Sequence, residues 1–154
     1  MTDDRPLDPS PVESEDTAFV RSAMPLCRLL GVRARRLDPT EVVLDLPWRA
    51  DLCTVGSALH GGASMALADS AAATCAHLNL PDGAVGTTTI ETKTNFFRAV
   101  TTGVAVATSR PLHVGRTTIV VETEVRADDR LVAKTTQTQA VLTSRSDRKD
   151  TDGV

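Results

Sequence analysis

The alanine-rich stretch running from His60 to about His77 constrains the fold more than any other part of this chain. It opens on His60-Gly61-Gly62, continues through Ala63, Ala66, Ala68, Ala71, Ala72 and Ala73, and carries one carboxylate in its middle, Asp69. Alanine is the best helix former, and its methyl side chain lets neighbouring backbones approach closely. Small or apolar residues occur all round the segment rather than along one stripe, which is how a fully buried helix reads. The rest of the chain is therefore expected to be arranged around it. A carboxylate in such a helix needs a partner or a task, because burying its charge is costly.

The start of this helix has a chemistry of its own. Gly61 and Gly62 leave the first backbone N–H groups unshielded, and those groups have no partner inside a helix. With the helix dipole they form a place for developing negative charge, such as the oxyanion of an acyl transfer. Gly61 and Asp69 are eight residues apart, roughly 12 Å along a helix axis. A reacting carbonyl has to lie about 3 Å from both kinds of group, so one helix does not meet the requirement alone. A two-fold dimer with antiparallel helices does, each Asp69 facing the other chain's Gly61.

The flanking sequence supplies strands. Residues 16–30 have a helical period with Pro25 inside it and Gly31 at its end, a short bent helix. Residues 31–37 and 41–46 flank an Asp38-Pro39-Thr40 turn and read as a hairpin. Residues 47–59 form a loop with Trp48 as its anchor. From Gly86 the pattern turns to β, with runs at 87–97, 102–112, 117–126 and 131–142. In the third run Ile119, Val121, Thr123 and Val125 occupy one face, while Val120, Glu122, Glu124 and Arg126 occupy the other. Short connections predict antiparallel neighbours. The expected architecture is α+β, a long central helix against a curved antiparallel sheet of about five to six strands.

With 154 residues the chain suits a single domain, expected over 16–142, with a disordered segment at 1–15 and a flexible tail at 143–154. A net charge of −3 argues against a nucleic-acid partner. Cys27, Cys53 and Cys75 are odd in number and widely spaced, which reads as inert thiols in a reducing compartment rather than disulfides or a metal site. No N-terminal apolar core or 18-residue apolar span occurs, so a cytoplasmic chain with no membrane partner is expected.

His60-Gly61-Gly62, Leu67-Ala68-Asp69, Asn95-Phe96-Phe97-Arg98 and His113-Val114-Gly115-Arg116, in this order and spacing, resemble the hotdog-fold acyl-CoA thioesterases. The nearest group is the phenylacetate-pathway type called PaaI-like, and the resemblance extends over about Leu26 to Leu142. It implies a helix wrapped by its sheet, and a homodimer, or a tetramer built from it, with shared active sites and no cofactor. It implies further that the Gly61 N–H polarises a thioester carbonyl, and that Asp69 of the other chain acts as nucleophile or general base. His60 would position the turn or the thioester, and Thr88 would help place water. Gly62, Arg98, His113 and Arg116 fall at substrate and coenzyme A contacts. Thr54 stands where many members carry Asn or Gln, and a hydroxyl offers fewer hydrogen bonds than an amide. A non-catalytic acyl-CoA binder and a hotdog hydratase are the rival readings. The second would pair Asp with His five residues on, where this chain has Thr74.

Overall fold

The computed structural model describes residues 14–144, so the calls on residues 1–13 and 145–154 lie outside it. Elements follow in the order α1 (Glu15–Ala23), α2 (Pro25–Leu30), β1 (Arg33–Asp38), β2 (Glu41–Pro47), α3 (Gly61–Leu78), β3 (Ala84–Phe96), β4 (Val104–Val114), β5 (Thr118–Ala127) and β6 (Arg130–Thr143). The strands form one antiparallel sheet in the order β1-β2-β4-β5-β6-β3, and α3 lies against its inner face. This is the hotdog arrangement. No helix among the described residues is long and apolar enough to cross a membrane.

The bent helix expected over 16–30 is two helices. Ser14 caps the first by accepting from the Thr17 N–H at 3.2 Å, so the helix starts inside the segment assigned to the disordered end. Met24, extended at φ −128°, ends α1 and begins α2. Pro25 then sits at the first helical position, where its missing N–H costs nothing. Gly31 closes α2 at φ 80°, a left-handed conformation that glycine adopts without strain. At the other end, Thr143 still belongs to β6 rather than to a tail.

Two further expectations are corrected. The strands β3 and β4 follow one another in sequence but are not neighbours, because β4 pairs with β2 and β5 while β3 pairs only with β6. Residues 97–103 carry the chain across the sheet end, pinned where Leu59 N donates to Val100 O (2.7 Å) and Trp48 N to Gly103 O (2.8 Å). Helix α3, in turn, is not buried all round. Leu67, Ala68, Ala71, Ala72 and Cys75 are buried, but Gly62, Met65, Ala66, Asp69, Ala73 and His77 form a partly open stripe at helical spacing. Alanine's small size conceals that stripe from a hydrophobic pattern, since it suits both core and contact surfaces.

The core lies between α3 and the sheet, where Leu44, Leu46, Leu67, Ile119, Val121 and Val125 are each fully buried. Each such side chain contributes about 1.5–3 kcal/mol. The β5 alternation holds: Ile119, Val121, Thr123 and Val125 face inward, and on the outer face Glu122 pairs with Lys134 and Glu124 with Arg126, both at 3.0 Å. The inner face also carries a polar tier, in which Ser109 bonds Thr123 at 2.7 Å and Thr94 bonds Thr135 at 2.9 Å.

Candidate active site

The start of α3 is fixed by the loop before it. Two short 3₁₀ turns (Ala50–Leu52 and Val55–Ser57) fold residues 47–59 back on themselves. Trp48 Nε1 donates to Ser57 O at 3.0 Å, and Thr54 N donates to Ala58 O at 2.8 Å. A bridge between Cys53 and Leu59 closes the loop. His60 N then donates to Leu52 O at 2.9 Å, which sets His60 as the residue capping α3.

That cap uses most of the helix's free amides. His60 Nδ1 accepts from Gly62 N at 2.8 Å, while His60 O accepts from Ala63 N (2.9 Å) and Ser64 N (3.1 Å). A neutral His60 accepting at Nδ1 carries its proton on Nε2, an assignment that follows from the hydrogen bond. A Cβ at 62 would lie 3.0 Å from His60 Nδ1, a tight approach that would press on the capping imidazole. The Gly61 N–H is left with no partner among the described residues. Gly62, placed with the substrate contacts from sequence, has its amide already engaged. The Phe96 ring lies beside Gly61, 3.4 Å from where a Cβ would be.

Asp69 lies on the open stripe of α3, half-buried, and its Oδ1 accepts from Thr89 Oγ1 at 3.3 Å. Met65, Ala66, Asp69, Thr89 and Thr92 line an open cavity of ≈ 350 Å³. A second groove of ≈ 340 Å³ runs past His60 and Gly62 along Leu26, Leu30, Leu52 and Ala63. The threonine beside Asp69 is therefore Thr89, and Thr88 is on the other face of β3, opposite Ala140. Three threonines in a row (87–89) give no periodicity to choose between them. The choice is made by a bulge after Thr89, which puts Thr87, Thr89 and Thr92 all on the helix side.

The three basic residues do not converge within one chain. Arg98 lies just beyond β3 and donates from Nη1 to Leu131 O at 2.9 Å. His113 and Arg116 lie at the β4–β5 turn, level with Ala140 at the far end of β6. From Leu131 to Ala140 is nine strand residues, about 30 Å. Sequence order carries no information on which end of a sheet a loop occupies. At the turn itself, a Cβ on Gly115 would lie 2.6 Å from the exposed His113 Nε2 and 3.0 Å from Thr118 O, so a side chain there would displace the imidazole and crowd the turn backbone. Thr54 is exposed in the loop, and its side chain caps nothing.

The buried thiols are electrostatically quiet. Burial, reinforced by the nearby Asp69 charge, raises the Cys27 pKa, and the thiol donates to Ser70 Oγ at 3.2 Å. Burial pushes Cys75 up to about 11. Both stay protonated and are poor nucleophiles near neutrality. Among the described residues, no three His, Cys, Asp or Glu side chains are grouped to hold a metal ion.

A family model described as Thioesterase superfamily matches residues 56–134, which include all of α3 and end inside β6. The Pseudomonas aeruginosa protein PA1618 is 30% identical over 101 residues, 66% of this chain and 70% of the relative. The crystal structure of a mutant Thioesterase PA1618 superposes with a TM-score of 0.76 over 85% of this chain and 96% of that one, at 25% identity. A mutant of the phenylacetic acid degradation protein PaaI from Thermus thermophilus superposes with a TM-score of 0.71, at 29% identity, over 77% and 99% of the two chains. The S. sahachiroi protein AziG gives 0.73 at 32% identity, over 78% and 98%.

Proposed function

The chain belongs to the thioesterase superfamily, and from that premise we propose that it hydrolyses acyl-CoA thioesters at a site shared between two copies. One observation carries the reading: the Gly61 N–H has no partner among the described residues at the tip of α3, while Asp69 lies along the same helix on its open stripe, beside the edge strand β3. Pairing β3 with a second β3 about a two-fold axis sets the two α3 helices antiparallel, so each tip meets the other chain's acid. The same operation reverses one chain relative to the other. Arg98 of one copy then shares an end of the joined sheet with His113 and Arg116 of its twin, a basic group suited to the phosphates of coenzyme A.

Gly61 N–H donates to the thioester oxygen as negative charge develops there, and the α3 dipole favours that charge. Asp69 takes a proton from water as hydroxide adds to the carbonyl carbon, or attacks that carbon itself to give an anhydride that water then opens. In either route the C–S bond breaks, the thiolate leaves, and the released proton neutralises it. Thr89 holds the carboxylate, and His60 keeps the Gly62 amide occupied, so the open donor stays at Gly61.

Thiol release from a panel of acyl-CoAs tests the reaction. Chains carrying Gly61→Pro lose the N–H while keeping a residue suited to a first helical position. Mixed with Asp69→Ala chains, they are expected to regain part of the activity that neither variant has alone. No recovery in verified heterodimers overturns the shared site. Tight acyl-CoA binding with no thiol release from the wild type overturns hydrolysis in favour of a binding role, the reading favoured by Thr54 in place of an amide.

A further inference from the structure

We infer that Gln137 and Gln139 are positioning residues for Asp69, acting through the Thr89 hydroxyl; the inference rests on the hydrolase reading above. Both glutamines lie on the helix-facing side of β6, 0% and 1% exposed. Core positions at this depth usually carry apolar side chains, and neither amide forms part of a sheet ladder. Gln139 Nε2 donates to Thr89 Oγ1 at 3.0 Å, and Gln137 Nε2 donates to the same oxygen at 3.3 Å.

A hydroxyl has one proton to give and two lone pairs to receive with. The two amides fill both lone pairs, so the Thr89 proton has one direction left, toward Asp69 Oδ1 at 3.3 Å. The bulge after Thr89 makes the double contact geometrically available. Gln139 is opposite Thr89 across the ladder, whereas Gln137 is opposite Thr92, and the extra residue Ile90 draws Thr89 within reach of both. The arrangement leaves Gln137 Oε1 buried with no partner among the described residues. A core built for stability alone would avoid that orphan. Its retention fits a side chain selected for where its N–H points. With the hydroxyl fixed as donor, one carboxylate oxygen is engaged from behind and the other is free for water or the thioester.

A double-mutant cycle on the full chain tests this. Gln139→Leu and Thr89→Val are each expected to lower kcat about tenfold with KM changed less than about twofold, and the double variant to fall no further than either alone. Thr89→Ser, which keeps the hydroxyl, is expected to retain activity. Gln137→Leu removes the orphaned oxygen, so it is expected to unfold no earlier than wild type and still to lose rate. Gln139→Met supplies a second shape should Gln139→Leu fail to fold. Neutron diffraction of the deuterated protein is expected to place the Thr89 deuteron toward Asp69. Multiplicative losses in the cycle, unchanged kcat in folded glutamine variants, or a deuteron aimed elsewhere each overturn the orienting role. A wild type that hydrolyses no acyl-CoA overturns the hydrolase reading instead, whatever the deuteron shows.

Discussion

The sheet has two edges, and they are built in opposite ways. At β1 the edge is closed. Ala34 N donates to Thr17 Oγ1 of α1 at 2.9 Å, and Arg21 Nε of the same helix donates to Val32 O just before the strand at 2.8 Å. A register shift between Ala34 and Arg36 breaks the ladder there, and Arg33 and Arg35 both pair with the buried Asp45. Charge, a bulge and a covering helix are the devices that prevent one strand edge from adding to another. At β3 the edge is open. It runs for 13 residues, has no strand on its outer side among the described residues, and exposes Ile90 at 63% and Phe96 at 50%. The open stripe of α3 borders this edge at Asp69, which lines one cavity with Thr89 and Thr92 of β3. On the shared-site reading proposed above, the bare edge is where a second copy pairs, and the same side holds the chemistry.

The sharpest way to break this comparison is to remove one acid from each side. Asp69→Asn is expected to lower kcat by about 10²–10⁴ with little change in melting temperature. Asp45→Asn is expected to leave kcat alone and cost about 1–2 kcal/mol in urea unfolding, a modest figure because Arg33 and Arg35 are half-exposed. The reverse pattern would put the chemistry at the wrong edge. Next in size, Ile90→Lys places a charge on the bare strand and is expected to weaken self-association about tenfold or more in sedimentation, with activity falling in step. Arg35→Lys, on the closed edge, is expected to change neither. Smaller again, Thr17→Val strips the Ala34 amide of its cap; calorimetry is expected to show about 1–2 kcal/mol lost and kcat unchanged.

The smallest effect contrasts the buried face of α3 with its open stripe. Cys75 ionises near its ordinary 9.0 when unfolded and at about 11 when folded, so the folded state holds the proton more tightly. Its contribution is complete below pH 9 and declines as pH rises toward 11, seen as a falling urea midpoint. At pH 8 a thiol reagent is expected to label Cys53 alone, with Cys27 and Cys75 reacting only on unfolding.

Much of this was written in the order of residues. The poly-alanine run after His60-Gly61-Gly62 is a helix by propensity and cap, Asp38-Pro39-Thr40 turns a hairpin, and β5 declares its two faces by strict alternation. These are local rules acting over a few residues, and the placement of Gly61 at a helix tip follows from them. What lay beyond local rules was decided by pairing between distant strands. The sheet order put β3 at an edge, a bulge chose Thr89 over Thr88, and β6 held Arg98 and Arg116 some 30 Å apart. The same packing left one stripe of an alanine helix uncovered. Identical methyl groups serve inside and outside a core, so only the tertiary contacts distinguish the two.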